Sequence, residues 1–82
     1  MKVKKEVKKI ICDYYNVKVS NTANETHLIS LAKNINDDAD IYDIMGLLET
    51  IENKFGIQIN NKVSIQTIQD VINCVYKTIN GQ

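Results

Sequence analysis

The segment Asp37–Ile59, DDADIYDIMGLLETIENKFGIQI, constrains the chain most, because Ile44, Leu47, Leu48, Ile51 and Phe55 recur at i, i+3, i+4, i+7 and i+11. That spacing lays an apolar stripe along one face of a helix. Gly56 follows at once as the stop. Asp37, Asp38, Asp40 and Asp43 crowd the other end, where a carboxylate can cap free N–H groups and the helix dipole favours negative charge. The result is a helix of about four turns, and its stripe has to be covered by other elements.

The flanking sequence supplies the covers. The first helix is expected from about Lys2 to Tyr15, with Val3, Val7, Ile10, Ile11 and Tyr14 or Tyr15 turned inward and the lysines outward. Asn16, a residue that tolerates the left-handed conformation, ends it. From Val17 to Ala39 the periodicity fails, so this stretch reads as a long connection. In it Leu28, Ile29, Leu31 and Ile35 are scattered among serines, threonines and asparagines. Thr67 opens the last helix, with Asp70 as its capping-box partner. Ile68, Val71, Ile72, Val75 and Ile79 form its stripe, and Asn80-Gly81 ends it. Such stripes are satisfied only against one another, which predicts an all-α, four-helix bundle with one long crossover. The 82 residues make one domain, 1–82.

Charge narrows the function. Ten lysines and no arginine stand against ten acids, which removes the simplest case for nucleic-acid binding. Lys2, Lys4, Lys5, Lys8 and Lys9 gather at the front and the acids between Asp37 and Glu52, giving the molecule two electrical ends. The front lysines read as a solvated face in preference to a membrane or partner patch. No transmembrane run or signal peptide is visible, so a cytoplasmic chain without membrane contact is expected. In that compartment Cys12 and Cys74 are reduced and partly buried.

Catalytic and metal sets are missing at this level. His27 is the sole histidine and reads as a surface loop residue, so neither a metal cluster nor a Ser-His-acid set can be assembled. Cys12 has no base nearby in sequence, and three glycines form no phosphate loop. Asp38, Asp40 and Glu49 fall at positions one, three and twelve of an EF-hand count, but Asp43 stands where the turn needs glycine, and a helix runs through the middle. The chain reads as neither an enzyme nor a metal protein.

The segment Ile51-Glu52-Asn53-Lys54-Phe55-Gly56-Ile57-Gln58-Ile59 resembles the second-helix pattern of the acyl carrier protein family, and LLETIENKF is similar to its D-alanyl carrier branch. VKKIICDYYNVKV is similar to the family's first helix and exit, and Thr67-Ile68 to the start of its last helix. The resemblance implies three long helices, a third helix shortened to a single turn near Asn60–Ser64, and a long first loop whose Leu28 and Ile29 pack back onto the bundle and whose surplus length, around Ala32 to Asn36, forms a short extra helical turn. It also sets the family's Asp-Ser-Leu-Asp on Asp40-Ile41-Tyr42-Asp43. Ile41 therefore occupies the place of the serine that carries 4'-phosphopantetheine, and no such cofactor is expected here.

The family's partner enzymes grip the second helix, so the resemblance implies a partner face of Asp40, Tyr42, Met45, Leu48, Glu49 and Glu52, exposed to acyl- or aminoacyl-handling enzymes of fatty-acid, polyketide or peptide assembly. The chain would act there as a monomer. Ile41 either closes over the core or stands exposed as an apolar docking patch. Gly46, where the family has an acid, marks a close approach or drift. Two alternatives remain open: a working carrier modified at an unexpected hydroxyl, with Ser30 first among them, or a binder of an apolar ligand between Leu47, Ile51, Ile59 and Ile65.

Overall fold

In a computed structural model, residues 2–81 are described; the expectation for the side chain of Lys2 falls outside the described parts. The first helix, α1 (Lys2–Tyr14), is amphipathic, with Val7, Ile11 and Tyr15 buried along one line. Asn16 stops it at φ 57°. The Val17 N–H donates to the Cys12 carbonyl (2.9 Å) and the Asn16 N–H to the Asp13 carbonyl (3.3 Å), so the last turn's carbonyls are satisfied as in a Schellman exit. Of the two candidate tyrosines, Tyr15 points inward and Tyr14 is 43% exposed.

The connection after α1 holds more structure than its sequence suggests. After a 3₁₀ turn at Val19–Asn21 comes a full α-helix, α2 (Leu28–Ile35). The expected single turn at Ala32 to Asn36 is thus corrected to eight residues beginning earlier. Leu28, Leu31 and Ala32 form its buried edge, and Ile29 packs beside them. His27, its N-cap residue, offers no side-chain cap. The helix start is held by tertiary bonds instead: the Leu28 N–H donates to the Gln66 carbonyl (2.7 Å), the Ile68 N–H to Thr26 (3.1 Å) and the Gln69 N–H to Asn24 (2.8 Å). An isolated bridge between His27 and Thr67 ties the two helix entries together.

The helix α3 (Ile41–Phe55) is capped as its acids imply. The Asp40 carboxylate accepts from the Tyr42 N–H (3.0 Å), and the Asp43 carboxylate accepts from the Asp40 N–H (2.9 Å). Gly56, at φ 63°, ends it. The third helix is the single turn expected, a 3₁₀ turn at Lys62–Ser64, and the fourth α-helix of the bundle is α2 in the crossover. In the last helix, α4 (Ile68–Asn80), Thr67 and Asp70 cap each other reciprocally at 3.0 Å.

Ile44, Leu47, Leu48 and Ile51 of α3 meet Val7 and Ile11 of α1, Leu28 and Leu31 of α2, and Ile68, Val71 and Val75 of α4 in one core. Apart from the hydroxyl of Tyr15, no buried polar or charged side chain interrupts it among the described residues. Phe55 and Ile79, the ends of their stripes, are half-buried against it. The radius of gyration, 11.8 Å, agrees with about 12 Å for a compact chain of this length.

Gly46 now has a neighbour: a Cβ there would stand 2.9 Å from the Tyr14 hydroxyl. That hydroxyl is the tip of a half-exposed side chain and can swing away. Alanine inside a helix is favoured over glycine by about 1 kcal/mol. Gly46→Ala is therefore expected to stabilise the protein by about 0.5–1 kcal/mol, seen as a higher urea midpoint. A lower midpoint would mean that the Tyr14 ring cannot yield.

Candidate functional site

The start of α3 gathers the residues singled out in the sequence. Ile41 follows the cap residue and is 38% exposed, and Tyr42 beside it is 75% exposed. Of the two readings of Ile41, the exposed one fits: its side chain helps line an open cleft of about 410 Å³ with His27, Ile29, Ile44, Val63 and Ile65. Around the pair, Asp37, Asp38, Asp40, Asp43 and Glu49 all reach solvent. Asp40 and Asp43 also spend oxygens on capping. Met45 is half-buried.

Two members of the expected partner face are placed differently. Leu48 has 0% exposure and belongs to the core, so its assignment to the exposed strip is corrected. The reason is angular: Leu48 lies one turn beyond Ile44 on the buried stripe. Glu52 is not a free acid. Its carboxylate accepts from the Ile59 N–H (2.7 Å) and pairs with Lys62 Nζ (3.2 Å), which in turn donates to the Ile59 carbonyl (3.2 Å). These bonds clamp the chain after Gly56 onto α3. The Ile59 N–H foremost, with help from Lys62, holds the Glu52 carboxyl below the ordinary glutamate range.

Leu47, Ile51, Ile59 and Ile65 are all buried, at 0%, 0%, 2% and 8% exposure. They are packed core, and only Ile65 reaches the cleft. The open apolar space therefore lies one step toward the helix entry, beside Ile41. His27, Ile29, Val63 and Gln66 complete it, and sequence reasoning placed none of the four in a site, because they come from two stretches without long periodic pattern on either side of α3. The available signal was an aliphatic residue, Val63, in the otherwise polar run Asn60-Asn61-Lys62-Val63-Ser64.

Other candidates are placed as follows. Ser30 is exposed on α2, and Ser64 donates to the Asn61 carbonyl (2.9 Å). Cys12 and Cys74 are free thiols, and burial raises the Cys12 pKa. Among the described residues no group of three His, Cys, Asp or Glu side chains stands close enough to hold a metal ion. No described helix is long and apolar enough to cross a membrane. Compared with known proteins, the chain matches no family model and no curated sequence.

Proposed function

We propose that the chain is a carrier-like protein-docking module that binds acyl- or aminoacyl-handling enzymes through the start of α3 and carries no phosphopantetheine arm. The observation that carries this reading is the exposed Ile41–Tyr42 pair, 38% and 75% exposed, set among Asp40, Asp43 and Glu49. An aromatic side chain in solvent is a strong anchor once a partner covers it. Surrounding carboxylates steer a basic surface toward it. Ile41 offers no oxygen for a phosphodiester, which separates docking from cargo.

Intact mass after incubation with coenzyme A, magnesium and a broad-specificity phosphopantetheinyl transferase tests the reading, with Ile41→Ser run alongside. Only the variant should gain the arm. Modification of the unaltered chain would establish a working carrier, and exposed Ser30 would be mapped first. If neither protein is modified, the carrier-like docking surface is absent and the proposal fails. The cleft supports a second reading, an apolar ligand held by Ile29, Ile41, Ile44, Val63 and Ile65. A fluorescent fatty acid displaced from wild type but not bound by Ile44→Asn would favour it.

A further inference from the structure

Away from α3, the opposite electrical end of the molecule is concave. Lys4, Lys5, Lys8 and Lys9 of α1 are joined by Lys18 from the following connection around a trough of about 1030 Å³. Its remaining wall includes Val17, Val19 and Ile72, with Val19 42% exposed. Asp13 is the one carboxylate in the lining. Five ammonium groups from two elements thus ring an apolar floor.

This arrangement is costly for the fold alone. Lys4 and Lys8, like Lys5 and Lys9, are like charges four apart on one helix, which repel. Lys4 and Lys5 also stand in the first turns of α1, where the helix dipole disfavours cations. The only ion pair among the described residues, Lys62–Glu52, is elsewhere. Lys4 rests over the Tyr76 ring at 4.9 Å, and among the described residues no carboxylate within ion-pair distance answers the others.

We propose that this trough binds an acidic peptide segment of a partner protein, one with aliphatic side chains between its Asp and Glu residues. The inference goes beyond the docking role of α3 and uses none of its residues. Charge complementarity selects the carboxylates, and the Val17, Val19 and Ile72 floor selects the aliphatic anchors. A bilayer is flat and cannot follow the concavity. Nucleic acid would find no arginine in the chain and no aromatic ring in the lining on which a base could stack.

Fluorescence anisotropy with a labelled peptide of alternating Glu, Asp and Leu tests the proposal, beside a control in which every Leu is Ser. Saturable binding is expected, weakened about tenfold in the Ser peptide and at least tenfold by Lys5→Glu/Lys9→Glu, and screened by salt. Lys18→Glu, on a different element, should weaken it as well, with circular dichroism confirming that each variant is folded. Amide shifts in NMR should fall on α1, the Val19–Asn21 turn and α4. Equal affinity for both peptides, shifts confined to α3, or tighter binding to phosphatidylserine vesicles or duplex DNA would overturn it. Sedimentation showing self-association abolished by the same lysine variants would also overturn it, by assigning the trough to a second copy. None of these readouts depends on phosphopantetheinyl transfer, so the two proposals fail separately.

Discussion

Replacing Leu48 with alanine is expected to lower the unfolding free energy by about 2–5 kcal/mol, and Leu48→Lys to leave no folded protein. Leu48 is fully enclosed at 0% exposure, in a core without any buried charged side chain among the described residues. An ammonium group there would meet no acceptor and no counter-ion. Domains of this size hold only about 4–12 kcal/mol in total, so the alanine variant loses a large share and the lysine variant all of it. Urea denaturation followed by circular dichroism reads both. Its neighbour Glu49 is exposed, and Glu49→Lys should shift stability by no more than about 0.5 kcal/mol. A folded Leu48→Lys protein with the wild-type midpoint would return Leu48 to the solvent-facing strip. Docking experiments on this helix are therefore best made at Tyr42 and Glu49.

The second large effect is on the pH profile of stability. Tyr15 is 3% exposed, and its hydroxyl is a buried polar atom without a hydrogen-bond partner. Burial first, then Tyr14 and Asp43, pushes its pKa up from 10.0 to about 12. Between those values the unfolded chain has released the phenol proton while the native protein keeps it. The unfolded state binds fewer protons, so stability falls as pH rises across that window. The loss attributable to Tyr15 is on the order of 2–3 kcal/mol. Tyr15→Phe should remove that loss, and at neutral pH should be neutral or stabilising by about 1 kcal/mol, since the hydroxyl gives up no bond. Parallel wild-type and Tyr15→Phe curves above pH 10 would contradict the assignment. On the acid side the sign reverses. Backbone N–H donors hold Glu52 and Asp70 below their ordinary values, so their contribution is present above the unfolded pKa and disappears as pH falls through the folded one.

The long helices could be read from the chain because their information is local. The stripe of α3, the left-handed stops at Asn16 and Gly56, and the Thr67–Asp70 cap each need only residues within a turn or two of one another. The helix α2 was only partly legible. Its eight residues carry two turns of pattern, and the first N–H, that of Leu28, finds its acceptor far along the chain, at the Gln66 carbonyl. The cleft beside Ile41 was illegible for the same reason: Ile29, Val63 and Ile65 come together only through tertiary packing. Leu48 shows the opposite case, in which the periodicity gave the right side and the family register the wrong one. The basic trough stayed hidden because Lys18 joins the lysines of α1 only after the chain has turned at Asn16.

The principal partner of α1 is α4, the first helix against the last. During synthesis, Val7 and Ile11 emerge long before Val71 and Val75 exist to cover them. The early chain can form α1 only fleetingly, since a lone helix of this length is marginal in water. The core closes when residues 68–80 are released, and until then the apolar edge of α1 is open to whatever else is nearby. Folding is thus coupled to completion of the last helix, and a chain stalled before Ile68 would expose the residues most prone to wrong association.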